Sequence, residues 1–273
     1  MTATTAAAPS RSTAVSALYA RNARSVVARG LKATKSSSGI VVLSGFFEPV
    51  FFLFAMGVGL GSYIGDVELP TGGSVSYAAF IAPALLAVSA MNGAVYDSTW
   101  NVFFKMHFGK LYDAMLATSL GPLDVAFGEI SYALLRGGVY ALGFLTVMQV
   151  MGLNLAWSAA LAIPAVLLVA FGFASVGMAV TSYMKTFQQM DWINFVMLPM
   201  FLFSATFYPI TVYPGWLQGV IKALPLWHAV ELVRGLTLGV LDGSMLVHVA
   251  YFVVMIGLGL TFTTVRLRAL FLD

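Results

Sequence analysis

Between Ile40 and Arg266 the chain is a succession of apolar stretches, each long enough to cross a lipid bilayer, at about 40–62, 77–99, 126–151, 157–183, 190–212 and 246–266. A hydrocarbon core of ~30 Å takes ~20 apolar helical residues, and a helix satisfies all its backbone polar groups internally where no water is present. The six runs therefore predict an all-α integral membrane protein with six transmembrane helices. With 60% hydrophobic and 9% charged residues, the chain cannot be a water-soluble globule, which carries ~25% charged residues. Its 273 residues leave little for a soluble domain, and without cysteine it has no disulfide framework or thiolate chemistry.

Residues 1–39 read as a basic arm and 40–273 as one membrane domain. The arm lacks the short apolar core and small-residue cleavage site of a signal peptide. It is expected to be retained in the cytoplasm. Lys and Arg in short loops mark the cytoplasmic side. Arg11, Arg21, Arg24, Arg29, Lys32 and Lys35 precede the first run, Lys105 and Lys110 follow the second, Lys185 the fourth, and Arg266 and Arg268 the sixth. Both termini are thus expected in the cytoplasm and the net charge of +3 is a topology signal. A nucleic-acid reading would need a solvated basic face with stacking aromatics, and here the aromatics lie inside the spans.

Three connections stand out. In the arm, Val15, Leu18, Tyr19 and Val26 alternate with Arg21, Arg24 and Arg29, a pattern for an interfacial helix with arginines on anionic lipid or for a basic tail. Between the second and third runs, Leu111, Met115 and Leu116 recur at helical spacing before a Gly121-Pro122 stop. Such a helix either docks in a partner's groove or rests on the membrane. Between the fifth and sixth runs, the apolar pieces of 213–235 are too short to cross and are cut by Pro214, Pro225 and glycines. They predict short re-entrant helices in the outer leaflet, with Trp216 and Trp227 at headgroup depth. Either they shape cargo exit or they plug a dimer interface, and Trp216, Trp227, His228, Glu231 and Arg234 are the gate candidates.

Ionisable residues inside a membrane are functional candidates by default. Glu48, Asp97, Glu129 and Arg136 qualify. Glu129 and Arg136 stand two turns apart on one face, ~10 Å between backbones, so Arg136 is expected to pair with a carboxylate on another helix, Glu48 or Asp97, unless these charges touch cargo directly. Asp191 is read as marking the mouth of the fifth span. Gly57 and Gly61 form a close-packing helix face and no strand precedes them as a nucleotide-binding turn requires. Around Gly109-Lys110 a phosphate-binding loop fails, because Phe104 and Leu111 stand where glycine and a hydroxyl residue are needed. His107, His228 and His248 are distant in sequence. No catalytic or metal site is expected, and no cofactor in this chain.

Taken with the six runs, the core Gly-Lys-Leu-Tyr-Asp-Ala-Met-Leu-Ala-Thr-Ser-Leu-Gly-Pro (residues 109–122) and the segment from Phe201 to Gly235 resemble the membrane subunit, or permease, of a type-2 ABC exporter. They are most similar to its nodulation-factor and drug-exporter branch, with Ser119 where many relatives carry proline. The resemblance implies a plasma (inner) membrane protein that pairs with a second copy or a paralogue, its first, second and fifth spans lining the path. It also implies two cytoplasmic ABC ATPase subunits that hold the ATP and Mg. Residues 106–118 would be the coupling helix, with Phe108, Leu111, Tyr112, Met115 and Leu116 its contact residues. The cargo would be amphipathic or hydrophobic: a drug, lipid or lipid-linked oligosaccharide. A secondary transporter and a membrane scaffold without transport activity are the alternatives. The partners expected are the ATPase, the second permease and membrane lipid, and no nucleic acid.

Overall fold

A computed structural model describes residues 22–36, 47, 49–69 and 72–271. Helix α1 (Ala23–Ser36) precedes the bundle, and an apolar helix α2 (Pro49–Ile64) follows it. The hairpin β1 (Asp66–Glu68) and β2 (Ser74–Ser76) pairs antiparallel with Val67 opposite Val75 and leads into α3 (Tyr77–His107). Next come the short α4 (Leu111–Leu116), α5 (Pro122–Val150), α6 (Trp157–Thr181) and α7 (Asp191–Phe203). Then α8 (Gly215–Ala223), α9 (Pro225–Leu238) and α10 (Ser244–Phe271) complete the chain.

Four of these helices, α3, α5, α6 and α10, are long and apolar enough to span a membrane. Together with the shorter apolar α2 and α7 they occupy the six expected places. One span ends earlier than the sequence reading placed it. Part of the first run, 40–46 and Glu48, lies outside the described residues, as do Val15, Leu18, Tyr19 and Arg21 of the arm. The fifth run does not continue to 212, because α7 stops at Phe203. Ala205 has a φ of 56°, a left-handed conformation that a helix cannot contain. Pro209 then biases Tyr208 away from helix, so the thirteen residues of α7 rise only ~20 Å.

Local chemistry sets the other ends. Ser76 starts α3 by accepting the Ala79 N–H at 3.3 Å. Pro122 opens α5, where its missing N–H costs nothing, and Asp124 accepts the Gly121 N–H at 3.0 Å, placing a negative charge at the positive end of the helix dipole. Gly239, at φ 80°, closes α9 in the left-handed cap conformation that suits glycine.

The bundle has two ends. One carries α1, α4 and the start of α5 (the arm end) and the other carries the hairpin, α8 and α9 (the hairpin end). α3 is the central helix, its most apolar window 72% buried within the chain, against 17% for α10. Of the three helices expected to line a shared path, this leaves α2 and α7 with outward aromatics: Phe51, Phe54, Trp192 and Phe195 are all exposed. Small residues allow the closest crossings. A Cβ on Gly172 of α6 would lie 2.6 Å from the Phe252 ring of α10, and one on Gly259 of α10 would lie 2.6 Å from the backbone of Ser175. Without a hydrophobic force between helices in lipid, such close packing holds them together.

Overpacking a tight crossing costs ~1–3 kcal/mol. Gly172→Leu should therefore lower the thermal midpoint of the purified protein in mild detergent, whereas Gly257→Leu, at an exposed position where a Cβ meets nothing within 4 Å, should leave it within error of wild type.

Candidate functional site

The arm end is organised around one carboxylate. Glu129, about two turns into α5 and buried, accepts from Arg29 of α1 at 2.6 Å and from Lys105 of α3 at 2.5 Å. Charge-assisted bonds to both oxygens satisfy a group that would otherwise be expensive to bury. The backbone brings α1 close enough for this. Val26 seats on Gly128, where a Cβ would lie 2.5 Å from the Val26 Cβ, and a Cβ on Gly30 would lie 2.6 Å from the Tyr132 ring. Asp124 adds a second clasp, its Oδ1 accepting the Asn22 N–H at 2.9 Å. The arm thus docks on α5, and Arg29 meets a carboxylate where the sequence reading put lipid; the apolar stripe seen there as membrane-facing includes Val26, which is buried against protein.

The segment expected as one helix at 106–118 divides in two. Met106 and His107 end α3, Lys110 takes a φ of 42°, and only Leu111–Leu116 is helical beyond it. Its faces are also the reverse of a simple docking stripe. Tyr112 and Met115 are buried against the bundle, Leu111 and Leu116 are half-buried, and Phe108 is 68% exposed. Helical spacing groups these side chains but does not say which side faces the chain's own core. Burial, then the Glu129 charge, push the Tyr112 phenol well above its usual range, with Arg29 opposing. Arm, α3 end, α4 and α5 therefore share one electrostatic neighbourhood.

Deeper in the bundle, Arg136 of α5 pairs with Asp97 of α3, and Asn101 donates to the same Asp97 oxygen at 2.7 Å. Asp97 and Asn101 bound a π-helical turn, a widened turn that recurs at functional positions. This is the interhelical pairing the sequence demanded, with Asp97 as the partner; Glu48 lies outside the described residues. A cavity of about 30 Å³ lies beside the pair, lined by Ser89, Gly93, Ala133, Gly137 and Tyr140 among others. That is room for about two waters, too small for an amphipathic cargo in this conformation.

At the hairpin end, Arg234 is a staple. Buried in α9, it donates to the Phe80 carbonyl at 3.3 Å, the Ala205 carbonyl at 2.9 Å and Glu231 at 2.7 Å, and its guanidinium lies 4.0 Å from the Phe80 ring centroid. It therefore holds the left-handed Ala205 turn against the central helix. Trp216 is 74% exposed, as a headgroup anchor would be. Trp227 differs: it packs edge-on to His228 and His248 with its indole nitrogen buried. The two histidines, 20 residues apart, meet side to side at 2.7 Å, a pairing that sequence distance concealed. Asp191 is exposed in the first turn of α7.

This architecture defines a multi-pass membrane permease domain. The family model for the ABC-2 type transporter matches residues 21–238, and the chain belongs to that family. Its relatives include Nodulation protein J of Rhizobium leguminosarum bv. trifolii, 31% identical over 77% of this chain and 79% of the relative. The bv. viciae protein of the same name is 29% identical over 88% of this chain and 91% of its own length. That of Rhizobium meliloti is 30% identical over 76% of each. The chain is accordingly a type-2 exporter permease similar to Nodulation protein J.

The Asp97–Arg136 pair can be tested by charge balance. Arg136→Ala leaves a buried carboxylate unpaired, a loss of up to ~3–5 kcal/mol, and should lower the thermal midpoint and yield. Adding Asp97→Asn should restore much of it, giving a positive coupling in the double-mutant cycle; additive losses would mean the two groups are independent.

Proposed function

We propose that the chain is the membrane subunit of an ATP-driven exporter, moving an amphipathic or hydrophobic molecule such as a drug, lipid or lipid-linked oligosaccharide out of the cytoplasm or inner leaflet. It acts with a second copy or paralogue on two cytoplasmic ABC ATPase subunits that carry ATP and Mg, in the inner membrane with both termini inside. The arm end is then cytoplasmic, in keeping with Arg24, Arg29, Lys32, Lys105 and Lys110 around it and with Lys185, Arg266 and Arg268 following the two other spans that end there.

The observation that carries this reading is the turn from Phe104 to Leu116. It projects Phe104, Phe108, Lys110 and Asp113 outward while Tyr112 and Met115 root it in the bundle. A lever needs both a handle and an anchor, and here consecutive residues supply them. Leu111 and Leu116, half-buried, flank the handle. The cargo class draws support from the exposed aromatics of α2 and α7, which offer ring surface to an apolar molecule or to the second subunit. On the far side, α8 and α9 with Trp216, Trp227, His228, Glu231 and Arg234 shape release.

Loss of an aromatic anchor at an interface hot spot costs ~2 kcal/mol or more, about thirtyfold in affinity. Phe108→Asp should reduce co-purification of the ATPase by at least about tenfold and abolish export while the permease keeps its wild-type thermal midpoint. Met115→Asp, by contrast, should destabilise the permease itself. Undiminished ATPase association and export in folded Phe108→Asp would remove this turn from the coupling role.

A further inference from the structure

We infer that His228 and His248 together form a proton-binding site that latches α9 to α10 at the hairpin end and releases it when both rings are protonated. Neither the family assignment nor the export reading requires this pair. Both histidines are buried, and their Nδ1 atoms lie 2.7 Å apart. At that separation one nitrogen must carry hydrogen and the other must be bare, since a hydrogen bond has room for one proton. The neutral pair meets this condition. So does the singly protonated pair, in which the imidazolium donates to its neutral neighbour. A second proton does not fit, because it sets two N–H groups and two like charges head to head.

The surroundings hold the rings in this geometry. His228 stacks on Tyr251 with centroids 4.1 Å apart, and Trp227 closes the edge of both rings at 5.0 and 5.3 Å. The Tyr251 hydroxyl is engaged elsewhere, donating to the Ala223 carbonyl of α8 at 3.1 Å. From α8, the Lys222 backbone carbonyl faces His228, while the Lys222 side chain is exposed. The charged groups that act on the pair are Glu231, one turn along α9, and Asp242 in the turn before α10. Glu231 is bound to Arg234, and Asp242 accepts from Ser244. α6 has no ionisable residue, and Tyr77 is the only one in the outer half of α3. Both carboxylates are already engaged, so neither is free to close on a second imidazolium.

The consequence is mechanical. Arg234 fixes α9 to the central helix, so breaking the histidine contact frees the start of α10 rather than α9. Burial, then the neighbouring His248 ring, lower the His228 imidazole from its usual 6.5 to about 4. The hairpin end should thus loosen as the pH falls through about 4.

The cysteine-free chain allows a direct test. Spin labels at Lys222→Cys, on α8, and Leu246→Cys, on α10, both exposed positions, report the distance across the latch by pulsed electron resonance in nanodiscs. Between about pH 7.5 and about pH 3.5, on either side of the His228 value of about 4, the distribution should shift reversibly to longer distances. In His228→Gln and in His248→Gln it should stay at its neutral-pH position, because a carboxamide can donate or accept and so matches the remaining ring in either protonation state. An acid-independent distribution in the histidine-bearing protein, or the same acid shift in both glutamine variants, would overturn the assignment.

Discussion

The carboxylate of Glu129 is the constraint on which the arm end depends. It lies on a membrane-spanning helix, buried, and takes one cation from the preceding arm and one from the end of the central helix. In low dielectric neither the anion nor the cations are stable alone, so the three must stay together or the elements that carry them must part. Arg29 and Lys105 keep 35% and 27% of their side chains exposed, which moderates the energy but preserves the geometry. Tyr112 of α4 is buried beside the same group of charges, so α1, α4 and the ends of α3 and α5 meet here. A push on the exposed Phe108 would enter the bundle here.

The hairpin end is built differently, from one buried cation and backbone carbonyls. Arg234 uses its planar fork to reach two main-chain oxygens and a carboxylate at once, which a lysine could not do. That fixes the turn where α7 stops and holds α9 against the central helix. The same end holds the histidine contact, weaker and titratable, beside a staple that does not titrate at ordinary pH. A rigid and a releasable tie side by side give that end one fixed helix and one movable helix.

Much of this was legible in the sequence. Run lengths placed the spans, Gly121-Pro122 marked the stop after the linker helix, and the cost of an isolated arginine in lipid demanded a carboxylate partner for Arg136, met by Asp97. What remained hidden depends on contacts across the chain. The shortening of α7 follows from the Ala205 turn, held by a residue 29 positions away. The inward side of α4 is decided by which face meets α5, and periodicity gives the faces of a helix without saying which one is inside. The docking of Arg29 on Glu129 spans 100 positions, and the arm's basic, amphipathic pattern suits lipid as well as protein. The signal that could have found it is the pair of glycines, Gly30 and Gly128, each bare where the other helix approaches.

The claim that one carboxylate ties arm, lever and bundle together is tested most directly by amide hydrogen exchange of the intact permease in detergent, comparing wild type with Glu129→Gln. The account predicts that residues 23–36 and 111–116 lose protection together in the variant, by about tenfold or more, while α6 and α10 exchange as in wild type. Unchanged protection in both segments, or loss in the arm alone, would contradict it.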